Sequence, residues 1–254
     1  MKIFASASFL LSAALVVSAQ TTLPANSGDS RTGYPFHSAA ASTILKPPPG
    51  VRVALIEFED MECPTCAADA PTVRAAVARY NTSGSQLAYL RHDYPLTEIH
   101  PWALDAAITA RYLQDRVSPA AAEQFRLALF AAQTGIASKD DLRAFTRRWF
   151  RAHNIAQPFV LDSTGACRNE VMADRALGDR LGEHGTPCVF VVTQRRWVMV
   201  TDMRQLYHAI DIAMAETASA ERAPAVRSPS AAKDGKARPT VPRRLKTPSQ
   251  LTLP

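Results

Sequence analysis

Cys63 and Cys66 stand two residues apart in the stretch Ile56-Glu57-Phe58-Glu59-Asp60-Met61-Glu62-Cys63-Pro64-Thr65-Cys66. Two thiols at this spacing can close and reopen a disulfide, or supply half of a thiolate metal site. The surroundings favour the first. The apolar run Val51 to Phe58 reads as a buried strand, a short loop follows, and Ala67 to Tyr80 reads as a helix. The pair therefore sits where a strand passes into a helix. A thiol at a helix N-terminus faces unpaired N–H groups and the positive end of the helix dipole, and both favour thiolate over thiol. Cys63 is the expected nucleophile. Cys66, one turn further in, is the expected resolving thiol and the more buried of the two.

The elements that position this pair follow from the hydrophobic pattern. Gln86 to His92 alternates and reads as a second strand, so residues 51–93 form a β-α-β unit with parallel strands. Pro71 falls inside the intervening helix and is expected to kink or restart it. An Ala-rich helix spans Pro101 to Arg116, and a second runs from Pro119 to about Gln133. A third, N-capped by Ser138 with Asp140 and Asp141 in its first turn, runs to about His153. Ala166 to Glu183 is a further helix ended by Gly185. Thr186 to Val192 is a strand opening on a proline, which a strand tolerates at its start, and it pairs with Trp197 to Thr201 as a hairpin. Met203 to Ala215 is the closing helix.

The ends of the chain have a different composition. Residues 1–19 carry Lys2, an apolar run from Phe9 to Val17, and Val17-Ser18-Ala19, which together read as a secretory signal; the alternative is an uncleaved anchor. Export to an oxidising compartment, expected to be the periplasm, is the consequence. Residues 20–50 read as a Pro/Ser/Ala-rich linker, and residues 218–254 as a disordered basic tail. From Ser219 onward there are eight basic residues against two acids, which accounts for the whole excess of +6 in this 254-residue chain. The chain before Ser219, including the folded region at residues 51–217, thus carries no excess of basic charge, and a basic-protein argument applies to the tail alone.

The element order, with Cys63-Pro64-Thr65-Cys66, Glu57 six residues upstream, Gly185-Thr186-Pro187, and Tyr94-Pro95-Leu96 with His100-Pro101, resembles the DsbA-like thiol–disulfide oxidoreductases of the thioredoxin superfamily. The resemblance implies an α/β thioredoxin-like fold with a helical insertion at about residues 98–160. It implies catalytic Cys63 and Cys66, with Glu57 as a buried proton acceptor for Cys66; a strand-end surface carboxylate is the alternative for Glu57. It implies that Pro187 is cis and that Thr186 and Pro187 receive a substrate chain as an added strand. No organic cofactor and no metal is expected, because the disulfide itself carries two electrons. The implied partners are unfolded or reduced proteins and a membrane redox partner that restores the disulfide, with no nucleic acid and an undetermined oligomeric state.

Two departures from the family pattern stand out. Pro64-Thr65 lacks the histidine of strongly oxidising members, which leaves the redox direction open between oxidase and reductase or isomerase. Cys188 directly follows Pro187, and it is either an inert buried thiol, a structural disulfide partner of Cys167, or a perturbation of the active pair. Outside the class, the alternative is a thiolate metal carrier. The histidines, however, are not at metal-ligand spacing from one another, and no phosphate loop or serine-nucleophile motif appears. His100 is expected to pack or cap, Trp102, Trp149 and Phe150 to lie in the core, and Glu59, Asp60 and Glu62 to be solvated loop acids that oppose a thiolate at Cys63.

Overall fold

A computed structural model describes residues 37–38, 44–81 and 87–222; the signal-like segment, much of the lead-in and nearly all of the basic tail lie outside them. The element order is β1 (His37–Ser38), β2 (Val53–Glu59), α1 (Pro64–Tyr80), β3 (Leu87–Asp93), α2 (Ala103–Arg116), α3 (Pro119–Ala132), α4 (Lys139–Ala152), α5 (Ala166–Leu181), β4 (Cys188–Thr193), β5 (Arg196–Met199) and α6 (Leu206–Arg222). The strands form one sheet in the order β1-β5-β4-β2-β3. β2 pairs parallel to β3 and antiparallel to β4, and β4 pairs antiparallel to β5 as the hairpin pattern predicts.

Every residue of β2 is buried, which explains why it reads as an unbroken apolar run rather than an alternating one. Its two faces serve different layers. Val53 and Leu55 pack with Val73 and Ala76 of α1 and Ala209 and Ile210 of α6. Ala54, Ile56 and Phe58 pack on the other face with Tyr94, Phe190 and Leu177 of α5. A third cluster, under the redox turn, joins Met61, Cys63, Cys66 and Ala70 to Trp102, Phe125, Leu129, Trp149 and Phe150 of the helical insert. The three aromatic residues expected in the core are all buried there.

Three features differ from the sequence reading. The lead-in contributes to the fold before Val51: His37 and Ser38 pair with Trp197 and Arg196, and Leu45 is buried beside Phe190. The outer edge of β5 would otherwise present unpaired backbone groups, and β1 takes them up. α1 does not restart at Pro71 but continues to Tyr80. One proline costs a single backbone bond and some crowding, and Ala70, Val73 and Ala76 buried on the same helix outweigh it. α6 runs on to Arg222, past the end of its apolar pattern at Ala215.

α5 approaches the sheet closely because Gly178 has no side chain: a Cβ there would lie 2.6 Å from the Tyr94 ring. The Tyr94 hydroxyl in turn lies 2.6 Å from Asp179 Oδ1 and 2.7 Å from the Glu183 carbonyl, its one hydrogen shared between these acceptors. These contacts set the end of α5 and the start of the Gly185-Thr186-Pro187 loop against the redox turn.

Candidate active site

Cys63 is the N-cap of α1, in extended backbone conformation, with Pro64 opening the helix. Pro is suited to this place because its missing N–H is one that the first turn leaves unpaired anyway. The Thr186–Pro187 peptide is cis, as the Gly-Thr-Pro motif predicts, and the Cys63 thiol donates to the Thr186 carbonyl at 3.3 Å. Cys66 lies deeper, 1% exposed against 6% for Cys63, and its sulfur accepts the Asp60 N–H at 3.4 Å. All four cysteines are thiols.

The two thiols have opposite acid strengths. Cys63 is pulled down to about 5, first by a hydrogen bond from the Cys66 thiol, then, against the opposing effect of burial, by Thr186 and by the N–H groups of Cys66 and Thr65. Cys66 is pushed well above the ordinary thiol range by burial and by the neighbouring Cys63. The helix N-terminus therefore contributes, as the sequence suggests, but the partner thiol contributes more. Thr186 Oγ1 is buried with no hydrogen-bond partner among the described residues, and it supports the thiolate once the proton has left.

Glu59 and Asp60 are buried and Glu62 is half-buried, which corrects the reading of all three as solvated. Glu59 is 2% exposed and Asp60 1% exposed. Burial pushes the Glu59 carboxyl up, but Arg91, Arg74 and Arg126 together outweigh it and hold the group at about 2. Asp60 accepts the N–H of Glu62 at 2.7 Å, the N–H of Leu96 at 2.8 Å and His100 Nδ1 at 2.8 Å. Glu62 accepts the Trp102 N–H at 2.6 Å. The physical reason is the insert, which covers the turn and must meet each buried acid with a cation or an N–H. His100, expected to pack or cap, instead meets the buried Asp60 carboxylate.

Glu57 is buried, and burial first and Glu59 second raise its carboxyl above the ordinary range. Arg74 donates to it at 2.7 Å, and the Tyr89 hydroxyl also donates to it. Neither sulfur hydrogen-bonds it directly.

Arg126 and Gln133, both from the far side of the insert, escaped the sequence reading. Arg126, 1% exposed, bonds Glu59 at 2.9 Å and lies 2.6 Å from Asp93 Oδ1, linking α3 to the ends of β2 and β3. A signal for it exists: an arginine on the α3 face that also carries Phe125 and Leu129 needs a buried acid. Gln133 donates to the carbonyls of Met61 and Cys63 at 2.9 and 3.1 Å, and no local pattern marks it.

Cys167 and Cys188 are not brought together. Cys167 lies in the first turn of α5, whereas the Cys188 thiol donates to Glu183, beyond the other end of that helix, and to the Gly185 carbonyl. The helix between them is about 20 Å long, far beyond the separation a disulfide spans. Burial, then the Glu183 carboxylate, pushes Cys188 up to about 12, which makes it an inert thiol at neutral pH. Among the described residues no group of three or more His, Cys, Asp or Glu is arranged to hold a metal ion.

Comparison with known proteins agrees with this geometry. Over 153 residues the chain is 31% identical to the Na(+)/H(+) antiporter NhaA 3 of Salinispora tropica, a match covering 56% of this chain and 20% of that protein. The chain thus spans about a fifth of the length of that curated relative. Among solved structures, alpha-DsbA1 of Wolbachia pipientis superposes with a TM-score of 0.56 at 15% identity, covering 69% of this chain and 92% of that one. The oxidoreductase NmDsbA1 from N. meningitidis superposes at 0.53 with 15% identity, covering 75% and 95%. At these identities the likeness is one of fold, and the fold is the DsbA-like form of the thioredoxin architecture. The sequence profile described as Thioredoxin matches residues 49–211, most of the folded region and well over half of the chain, so the protein belongs to the thioredoxin family.

Proposed function

We propose that this protein is an exported thiol–disulfide oxidoreductase that passes a Cys63–Cys66 disulfide to pairs of protein thiols. One observation carries the reading: the opposed acid strengths of the two thiols, Cys63 low and Cys66 high. A substrate thiolate attacks Cys63 Sγ, the Cys63–Cys66 bond breaks, and Cys66 leaves and takes up a proton. The second substrate thiolate then attacks the substrate sulfur of the mixed disulfide. Cys63 leaves as a thiolate, and two electrons have passed from the substrate to the protein. A low-pKa thiol is the better leaving group, so release of Cys63 is the favoured second step.

Thr186 and Pro187, beside Cys63, are the proposed backbone dock for the substrate as an added strand, which gives affinity without demanding a sequence. Glu57 is the proposed proton carrier for Cys66, a buried carboxyl that burial and the neighbouring Glu59 raise above its ordinary range. Arg74 and Tyr89 hold its carboxylate in place on β2. Reduced or unfolded proteins are the substrates in this reading, and a membrane partner reoxidises the pair. No helix among the described residues is long and apolar enough to cross a membrane, and the transport named for the curated relative forms no part of the reading.

The test is equilibration against glutathione, with Cys167→Ser and Cys188→Ser in place. A nucleophile at about 5 lies between thioredoxin at about 7 and DsbA at about 3.5, whose couples stand near −270 and −120 mV. A potential of roughly −180 mV is expected. A value near about −270 mV overturns the oxidising direction, and the absence of any exchange overturns the enzyme.

A further inference from the structure

The turn after α3 touches the redox turn through one side chain. Gln133 Nε2 donates to the Met61 carbonyl at 2.9 Å and to the Cys63 carbonyl at 3.1 Å, the second of which also accepts the Ala67 N–H at 3.2 Å. These oxygens belong to peptide groups on either side of the nucleophile. An amide NH₂ has two hydrogens, so the donor capacity of Gln133 is spent on these two carbonyls. α3, which ends at Ala132 just before Gln133, carries Arg126 seven residues earlier, clamped to Glu59 and Asp93, so the amide extends from an anchored base.

We infer that Gln133 is a positioning residue for the nucleophile, holding the peptide groups on either side of Cys63 in the orientation that supports its thiolate. The inference rests on Cys63 being the nucleophile of the exchange proposed above. The sulfur is stabilised by N–H groups of Thr65 and Cys66, which reach it only while Cys63 keeps its N-cap conformation of φ −73° and ψ 121°. That conformation directs the Cys63 carbonyl to Ala67 and Gln133 together. The two carbonyl dipoles belong to the turn that carries the developing charge, and donors placed on them reduce the field that opposes a thiolate. The titratable groups around the sulfur are Cys66 and Asp69 on α1, and Asp60 and Glu62 in the turn, with His100 bonded to Asp60. Gln133 is the neutral donor that the insert adds to this acidic set.

The test compares Gln133→Met, similar in length but without donors, and Gln133→Glu, which replaces the donors by acceptors. Both are made in the reduced full chain with Cys167 and Cys188 replaced by serine. Thiolate absorbance and iodoacetamide alkylation are followed against pH, with thermal melting to confirm folding. Gln133→Met is expected to raise the Cys63 pKa by about one unit, slowing alkylation about tenfold at pH values below it. Gln133→Glu is expected to raise it further. In the unsubstituted protein the Gln133 side-chain amide resonances should shift as Cys63 titrates, a readout that does not depend on either variant folding. A folded Gln133→Met protein with an unchanged thiolate pKa, or amide resonances that ignore the titration, overturns the inference. Loss of the exchange reading would leave these readouts intact, since neither needs a substrate, so the two failures are distinguishable.

Discussion

Replacing Cys66 with alanine removes the hydrogen bond that contributes most to the acidity of Cys63. A hydrogen bond to a charged group contributes about 1.5–3 kcal/mol, and one pKa unit corresponds to about 1.36 kcal/mol. The loss is therefore worth about one to two units, and the Cys63 pKa is expected to move from about 5 to roughly 6–7. It should not return to the ordinary thiol value, because Thr186 and the N–H groups of the helix terminus remain. Cys66→Ser retains a hydroxyl donor at the same place and should keep most of the depression. The assay is the pH dependence of iodoacetamide alkylation in a background of Cys167→Ser and Cys188→Ser, so that one thiol reports. Two results would refute the reasoning: an unchanged midpoint in Cys66→Ala, or a midpoint in Cys66→Ser displaced as far as in the alanine variant. The first would hand the stabilisation to the helix terminus, and the second would show that packing rather than the donor matters.

The other predictions concern pH, the buried ions and Glu57. The folded pKa of Cys63 lies below its unfolded value, so the stability it lends the reduced form is fully present above about pH 9 and is lost as pH falls through about 5. The melting temperature of the reduced protein, relative to the oxidised one, should therefore decline as pH is lowered across that window; a constant difference contradicts it. Arg126→Met strips a cation from Glu59 and Asp93, and urea unfolding should show a loss of about 3–5 kcal/mol, where a loss under about 1 kcal/mol would mean that the other arginines suffice. Glu57→Gln should slow the step in which Cys66 exchanges its proton and flatten its pH dependence in stopped-flow kinetics. Unchanged kinetics would confine Glu57 to its bonds with Arg74 and Tyr89.

The legible parts of this protein were those in which a residue's role is decided by near neighbours in sequence. Cys63 and Cys66 at the head of α1, the Ser138 cap, the β-α-β unit and the hairpin all depend on local pattern. The charged residues were misread for the opposite reason. Glu59 meets Arg74, Arg91 and Arg126, which lie 15, 32 and 67 positions away, and no pattern around Glu59 announces a partner at that range. Polarity alone made the acids look solvated. Cys167 and Cys188 show the same limit: an even count and an oxidising compartment argue for a bridge, but the length of α5 forbids it. Leu45 was lost among prolines whose extended chain gives no hydrophobic period to mark a buried side chain.

The arginine and carboxylate lattice beneath the redox turn has a consequence for how the molecule holds together. Glu59 and Asp93 sit at the ends of the neighbouring strands β2 and β3, and Arg126, which joins them, comes from the inserted helices. An insert docked by grease alone could be trimmed away and leave a smaller protein behind. Here, removal would take both Arg111 and Arg126 from Asp93 and leave its carboxylate unpaired beside Glu59. The helical cap is thus no accessory: sheet and cap should melt in a single transition, and a transplant of either one would carry half of an unpaired charge set into its new host.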